Sequence, residues 1–350
     1  MKHKGICYQR LFSDIKLLYR KDGILPKKIN MEILSLYPTL KETIWGGRTL
    51  IDDYGFETDG ENAAEAWLLS CHKDGPSFVL NGKYEGKTLA QVLEAEGKGI
   101  LGANNSDIRD FPVLIKIIDA RDKLSVQVHP DDAYALENEN ENGKTEAWYV
   151  LKCDEGASLI YGMKNEMSRE EFAAAIENGT LLDDVNTVNV KPGDVVFIPS
   201  GMLHAIGEGI LLAEVQQSSN STYRVFDYMR RDKNGNLREL HIKKAVDVVD
   251  LSVTQVDFSA EGETKDLGDA KKTYLTGCRY FGMTSLEING EYEDNAGEES
   301  FVSLLVLDGE GKIYSDSDEI ALKKGSSIFI PAGYGKYTVS GTLSILETRT

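Results

Sequence analysis

The sequence predicts a mainly β protein of two related barrels or sandwiches with a small helical insertion. After Met31, short apolar stretches are separated by Gly, Pro, Asn and Asp, the punctuation of strands and turns. One string also occurs twice in the frame K-x-G-x-x-x-F-I-P-x-G: VKPGDVVFIPSGMLHAI over 190–206 and LKKGSSIFIPAGYGKYTV over 322–339. Two copies of one frame, with Gly193 and Gly325 132 positions apart, point to two related β units.

Taken in order, the expected strands are Ala66–Ser70, Val113–Asp119, Leu124–Val128, Ala147–Lys152, Val195–Ile198 and Leu211–Gln216. Helices are expected over Lys87–Glu96 after a turn, over Asp131–Asn138 just past Pro130, and over Ser168–Asn178. The last opens with Ser168 and has Glu171 three residues on, a capping-box pattern. The repeated string reads as a hairpin: glycine takes the tight turn, Phe-Ile is buried, proline ends the strand, and the Pro-x-Gly turn reverses the chain. The first copy carries His204 where the second has Lys336, which predicts one working site and one structural domain. Between Leu251 and Asp269 the pattern breaks down and charge rises. We therefore expect a domain carrying the chemistry over 31–250, with a helical insertion about 165–185, and a C-terminal domain without the site over 251–350.

The 350 residues include 57 acidic and 39 basic side chains, a formal charge of −18. That balance argues against nucleic acid as a partner, since phosphate neutralisation needs a basic face. An anionic substrate would need local cations acting against the field of the whole molecule. At 41% hydrophobic the chain can build a core, and no apolar run is long enough to span a membrane. Four cysteines without a CxxC pair fit a reduced, cytoplasmic protein. Residues 1–30 carry eight Lys/Arg and two Asp/Glu, with no uninterrupted apolar segment of the secretory kind. They read as a basic extension outside the core, with a partner-binding arm as the alternative.

The most informative stretch is Leu124-Ser-Val-Gln-Val-His-Pro130. On a strand, Val126 and Val128 face one way while Gln127 and His129 face the other. Glu146 opens a further strand, and His204 follows the IPSGMLH turn. Two imidazoles, a carboxylate and an amide oxygen make a plausible Zn²⁺ ligand set with an open position, against the alternative of buried, hydrogen-bonded histidines. His3, His72 and His241 lack comparable context.

LIKIIDARDKLSVQVHPDD, GKTEAWYVL, VKPGDVVFIPSGMLHAIGEG and EVQQSSNSTYRVFDYMR together resemble the short bacterial form of the type I mannose-6-phosphate isomerases, as do YPTLKETIWGG and AEAWLLSCHKDGPS. The resemblance runs from about Met31 to the C-terminus. It implies two cupin-type domains, one Zn²⁺ per chain, and interconversion of mannose 6-phosphate and fructose 6-phosphate through a metal-stabilised cis-enediol. It places the metal ligands on Gln127, His129, Glu146 and His204, the family's arginine on Arg224, an acidic position on Glu214, and pocket lysines on Lys116 and Lys144. Where longer members have a lysine after the His-Pro pair, this chain has Asp132.

For proton transfer between C1 and C2, Glu214 is the first choice of base and Lys144 the second; a Glu214–Arg224 salt bridge is the structural alternative. Arg224 and Lys116 are the expected phosphate ligands. Lys116 interrupts an apolar run, so its ammonium needs an anion or a route to solvent. Trp45 can stack on the sugar face or pack in the core. Competing functions are a non-catalytic sensor of a sugar or sugar phosphate and an Fe²⁺-dependent cupin dioxygenase. The expected assembly is a monomer or homodimer, with a hexose 6-phosphate as the small-molecule partner.

Overall fold

The computed structural model describes residues 31–231 and 235–350; the basic extension expected over 1–30 lies outside the described residues. Among the described residues three sheets form. The first has six strands in the order Val195–Ile198, Glu146–Cys153, Ile210–Gln217, Val113–Ala120, Glu65–Leu69 and Thr39–Lys41. The second has five, in the order Tyr223–Phe226, Val126–Val128, His204–Ile206, Ser158–Met163 and Val185–Asn189. These two sheets pack face to face. Ile118, Trp148, Val150 and Leu212 of the first share one apolar cluster with Leu159, Tyr161 and Ile206 of the second.

The third sheet has nine strands and rolls around its own apolar core, which includes Leu286, Leu304, Ile328, Val339 and Ile345. Its long strands are Gly282–Ala296, Val302–Tyr314 and Gly335–Arg349. The strand Leu34–Tyr37 from near the start of the described chain also joins this sheet, pairing with Ser327–Ile330. The outer face of the six-stranded sheet (Ile115, Ile117, Ala147, Ala213, Val215) packs with Leu275, Phe281, Met283 and Leu346 of the C-terminal barrel. The C-terminal sheet thus takes in a strand from the N-terminal part of the chain, and the two barrels share an apolar layer.

All six expected strands are present, shifted at their ends by a residue or two. The expected helices are Leu89–Glu96, Asp132–Asn138 and Arg169–Asn178. Ser168 caps the last in a complete box: its hydroxyl accepts from Glu171 N and the Glu171 carboxylate accepts from Ser168 N. A further helix, Ile242–Val248, was not among the expected elements. Its signal is the apolar spacing of Ile242, Ala245, Val246 and Val249, which pack against the outer face of the five-stranded sheet.

The repeated string is not a hairpin. Val195–Ile198 pairs with Glu146–Tyr149 in the six-stranded sheet, whereas His204–Ile206 pairs with strands of the five-stranded sheet. In the second copy Ser327–Ile330 and Gly335–Arg349 do not pair with each other either, but both flank Val302–Tyr314 within one sheet. Proline cannot extend the ladder, and packed sheets stand about 10 Å apart, so residues 199–203 form a corner between layers. The expected tight turn at the glycine holds: Gly193 and Gly325 have φ of 91° and 84°. No helix among the described residues is long and apolar enough to cross a membrane.

Candidate metal centre

Two rows of side chains face each other inside the N-terminal barrel. On the five-stranded sheet the register sets Arg224 opposite Gln127, Gln127 opposite His204, and His204 opposite Tyr161. Directly opposed residues share a face, so these four point the same way. On the six-stranded sheet the matching row is Trp148, Glu214, Lys116 and Trp67. The intervening Val126 and Val128 turn outward and are fully buried against the helices, as the alternation predicts.

His129, Glu146 and His204 converge: one ligand atom from each lies within 4.8 Å of the others, and all three residues are buried. His129 Nδ1 lies 2.9 Å from Ser221 O, and His204 Nδ1 lies 2.9 Å from Met202 O. A carbonyl only accepts, so each Nδ1 carries the proton and donates it. With Nδ1 as the donor, each ring in its neutral form turns the lone pair of Nε2 inward, the tautomer that a metal ligand needs. Burial and the Lys144 ammonium push His129 well below the usual imidazole range.

Glu146 sits between these rings, with Oε1 3.2 Å from His204 Nε2 and Oε2 3.5 Å from His129 Nε2. Neither of its oxygens accepts a well-formed hydrogen bond, although Lys144 Nζ approaches Oε2 to 2.8 Å as an ion pair. Burial raises this carboxyl, but Lys144 and His129 outweigh it and hold it well below the carboxylate range. Gln127 Nε2 lies 3.4 Å from His204 Nε2. Turning the amide over would present its oxygen at the same point. Inward lone pairs around a carboxylate without hydrogen bonds are the donor set of a divalent cation.

The charge balance agrees. Lys116 Nζ lies 3.0 Å from Glu214 Oε2 and 3.4 Å from Glu65 Oε2, and Lys144 Nζ lies 3.9 Å from Glu214 Oε1. Three carboxylates thus face two ammonium groups, leaving one negative charge for a cation to neutralise. Burial and then Glu146 raise the Glu214 carboxyl. Trp148 Nε1 donates to its Oε1 at 3.1 Å.

The alternative of a salt bridge from Glu214 to Arg224 does not form; Glu214 pairs with Lys116. Arg224 instead donates from Nε to Ser125 Oγ at 3.2 Å and from Nη1 to Glu239 O at 3.0 Å. Among the described residues no carboxylate pairs with it, whereas the neighbouring Arg230 and Arg238 both pair with Asp227. Burial and the like charge of Arg238 lower the Arg224 pKa. Lys116 does not reach solvent: its head is buried between two carboxylates and over the Trp67 ring. Trp45 is not brought to the ligands but is buried with Ala64, Ile118 and Leu124 in the barrel core. His72 and His241 lie apart from the ligand set: His72 faces Asp74 and Glu141, and His241 Nδ1 accepts from Arg224 N.

Sequence reasoning passed over Glu65 and Gln216. Glu65 shares a strand face with Trp67, whose Nε1 donates to it at 2.7 Å, and Gln216 lies opposite Glu146 with one buried oxygen lacking a hydrogen bond. The alternation was a signal, but their partners are set by register between distant strands.

Residues 33–151 match the family described as phosphomannose isomerase type I, catalytic domain, and residues 270–349 match mannose-6-phosphate isomerase, cupin domain. A putative mannose-6-phosphate isomerase of Bacillus subtilis is 41% identical over 313 residues, covering 89% of this chain and 96% of that protein. A mannose-6-phosphate isomerase of Streptococcus mutans is 38% identical over 321 residues, covering 91% and 98%. The crystal structure of a B. subtilis mannose 6-phosphate isomerase superposes with a TM-score of 0.84 at 38% identity, covering 91% of this chain and 99% of that one. A likeness that runs through both barrels, in sequence and in backbone alike, makes this chain a member of the type I phosphomannose isomerase family.

Proposed function

We propose that this chain interconverts mannose 6-phosphate and fructose 6-phosphate, with Gln127, His129, Glu146 and His204 holding one Zn²⁺. The observation that carries the reading is the convergence of His129, Glu146 and His204 with their Nε2 lone pairs turned toward the Glu146 oxygens. Two nitrogens and one or two oxygens form a donor set that suits zinc. A divalent cation held there supplies Lewis-acid stabilisation of the oxyanion that develops when a carbon acid next to a carbonyl loses its proton.

The remaining work falls to the chain's own groups. Glu214 is the base: it takes the proton from C2 of the aldose and returns it to C1 on the same face, while the hydroxyl proton passes from O2 to O1, yielding the ketose. Its raised pKa suits that exchange, since a base poised closer to neutrality both accepts and returns a proton. Lys144, the alternative base, lies against the ligands themselves, 2.8 Å from Glu146 and 3.2 Å from His129 Nε2. Arg224, which pairs with no carboxylate among the described residues, binds the phosphate dianion with Ser125 beside it. Lys116 serves the reaction indirectly, by balancing Glu214 and Glu65.

Free thiols at Cys71, Cys153 and Cys278 support a reducing compartment, and we place the enzyme in the cytoplasm. The test is a coupled assay of mannose 6-phosphate turnover that a chelator abolishes and Zn²⁺ restores. A zinc-loaded protein that leaves both hexose phosphates unchanged would instead be a sensor. Glu214→Gln that retains zinc but loses proton exchange at C2 identifies the base; full exchange would pass that role to Lys144.

A further inference from the structure

Asp132, the residue at which this chain departs from the longer relatives it resembles, stands between the two barrels. Its Oδ2 accepts from Tyr280 OH at 2.5 Å and from Arg279 Nη2 at 3.0 Å, both in the C-terminal part of the chain. Its Oδ1 accepts from Gly143 N at 3.0 Å and from Gln217 Nε2 at 2.8 Å. Gln217 Oε1 in turn accepts from Thr145 N at 2.9 Å. Lys144 N, between these two amides, donates to Pro130 O at 2.9 Å.

Three consecutive amides ahead of Glu146 are therefore tied to the segment that follows His129, two of them through Asp132. The fit is close. A Cβ on Gly143 would fall 2.5 Å from Asp131 C and Asp132 N, so only glycine allows this approach. Glu146, the first residue of its strand, is paired with Ile198 and Gln216, whereas Lys144 precedes the strand and has no ladder partner of its own.

We infer that Asp132 is a positioning residue: it relays the grip of Arg279 and Tyr280 to Gly143–Thr145 and so fixes where Lys144 and Glu146 meet His129. This gives the C-terminal barrel a part in setting the metal centre. The inference rests on the metal-centre reading given above. It does not require Asp132 to touch substrate or metal. Partners that orient metal ligands commonly change affinity or activity by about 10- to 100-fold, and a relay one bond further out should act near the lower figure.

The experiment compares Asp132→Ala with the double variant Arg279→Ala/Tyr280→Phe, which leaves the N-terminal barrel untouched. Hydrogen exchange at Gly143 and Thr145 is measured on metal-free full-length protein, Zn²⁺ affinity by competition with a chelator, and kcat and KM on zinc-loaded enzyme. In Asp132→Ala the two amides should exchange at least about tenfold faster, Zn²⁺ affinity should fall about tenfold, and kcat should fall while KM stays within about twofold. The double variant should move every readout in the same direction by less, and combining it with Asp132→Ala should add nothing. Asp132→Asn, which keeps one oxygen for Gly143 and Gln217, should restore part of the loss. Wild-type exchange at both amides, unchanged Zn²⁺ affinity and kcat, or additive effects would overturn the relay. If Asp132→Ala fails to fold, the double variant decides, because Arg279 is exposed and Tyr280 only half-buried. Wild-type protein that takes up no Zn²⁺ would refute the metal-centre reading, while amide exchange would still judge the relay.

Discussion

Replacing Lys116 by Met removes the cation that forms ion pairs with both Glu65 and Glu214. At separations of 3.4 and 3.0 Å, an effective dielectric of about 20 gives roughly 5 kcal/mol of attraction for each pair. Desolvation of the ammonium offsets much of this, and removing one partner of a buried ion pair costs about 3–5 kcal/mol in practice. The sign of the pH dependence follows from Glu214. Burial and Glu146 already raise its carboxyl, and losing Lys116 raises it further. A carboxyl raised in the folded state favours folding while protonated and opposes it as pH climbs past the unfolded value of about 4.3. The deficit of Lys116→Met should therefore be largest at neutral and alkaline pH and shrink as the pH falls and Glu214 takes up a proton. Urea unfolding of the metal-free protein, followed by tryptophan fluorescence, measures it. All three tryptophans, Trp45, Trp67 and Trp148, lie in the N-terminal barrel, so the signal reports that barrel. Lys116→Met/Glu214→Gln should recover part of the loss by removing one uncompensated charge. A deficit below about 1 kcal/mol, or one that does not vary with pH, would mean that Lys116 is not the buried counter-ion described here.

Other outcomes follow from the same geometry. His204→Ala should lose zinc by elemental analysis, and full retention would remove it from the ligand set. Arg224→Ala should raise KM for the phosphorylated sugar about 10- to 100-fold, the loss expected for a hydrogen bond to a charged group; an unchanged kcat/KM would clear it of phosphate binding. Trp45→Ala should destabilise the barrel by about 3–5 kcal/mol in thermal or urea unfolding, while KM of the folded enzyme stays within about twofold. A large rise in KM with little loss of stability would instead favour stacking on the sugar.

Local patterns were legible because they depend on neighbours in the chain. The alternation of Val126, Gln127, Val128 and His129 fixed which side chains share a face, and the Ser168–Glu171 box fixed a helix start. The three side chains that converge, His129, Glu146 and His204, could be named from one strand, one strand start and one turn. The sequence also exposed Lys116 as an ammonium in need of an anion, without naming it. Glu65 and Glu214 supply that anion only because their strands flank Val113–Ala120 in the sheet, 51 and 98 positions away along the chain. The same limit explains the repeated string. Its residues specify a strand, a stop and a turn, but whether the next strand returns to the same sheet or crosses to the facing one depends on layers assembled from elsewhere. Trp45 in the core, Leu34–Tyr37 in the C-terminal sheet and the Asp132 relay were likewise decided by tertiary structure. By itself the sequence determined the elements and the chemistry each can offer. Register and packing between distant segments decided which groups meet, because contact energies across the fold depend on positions that no local window contains.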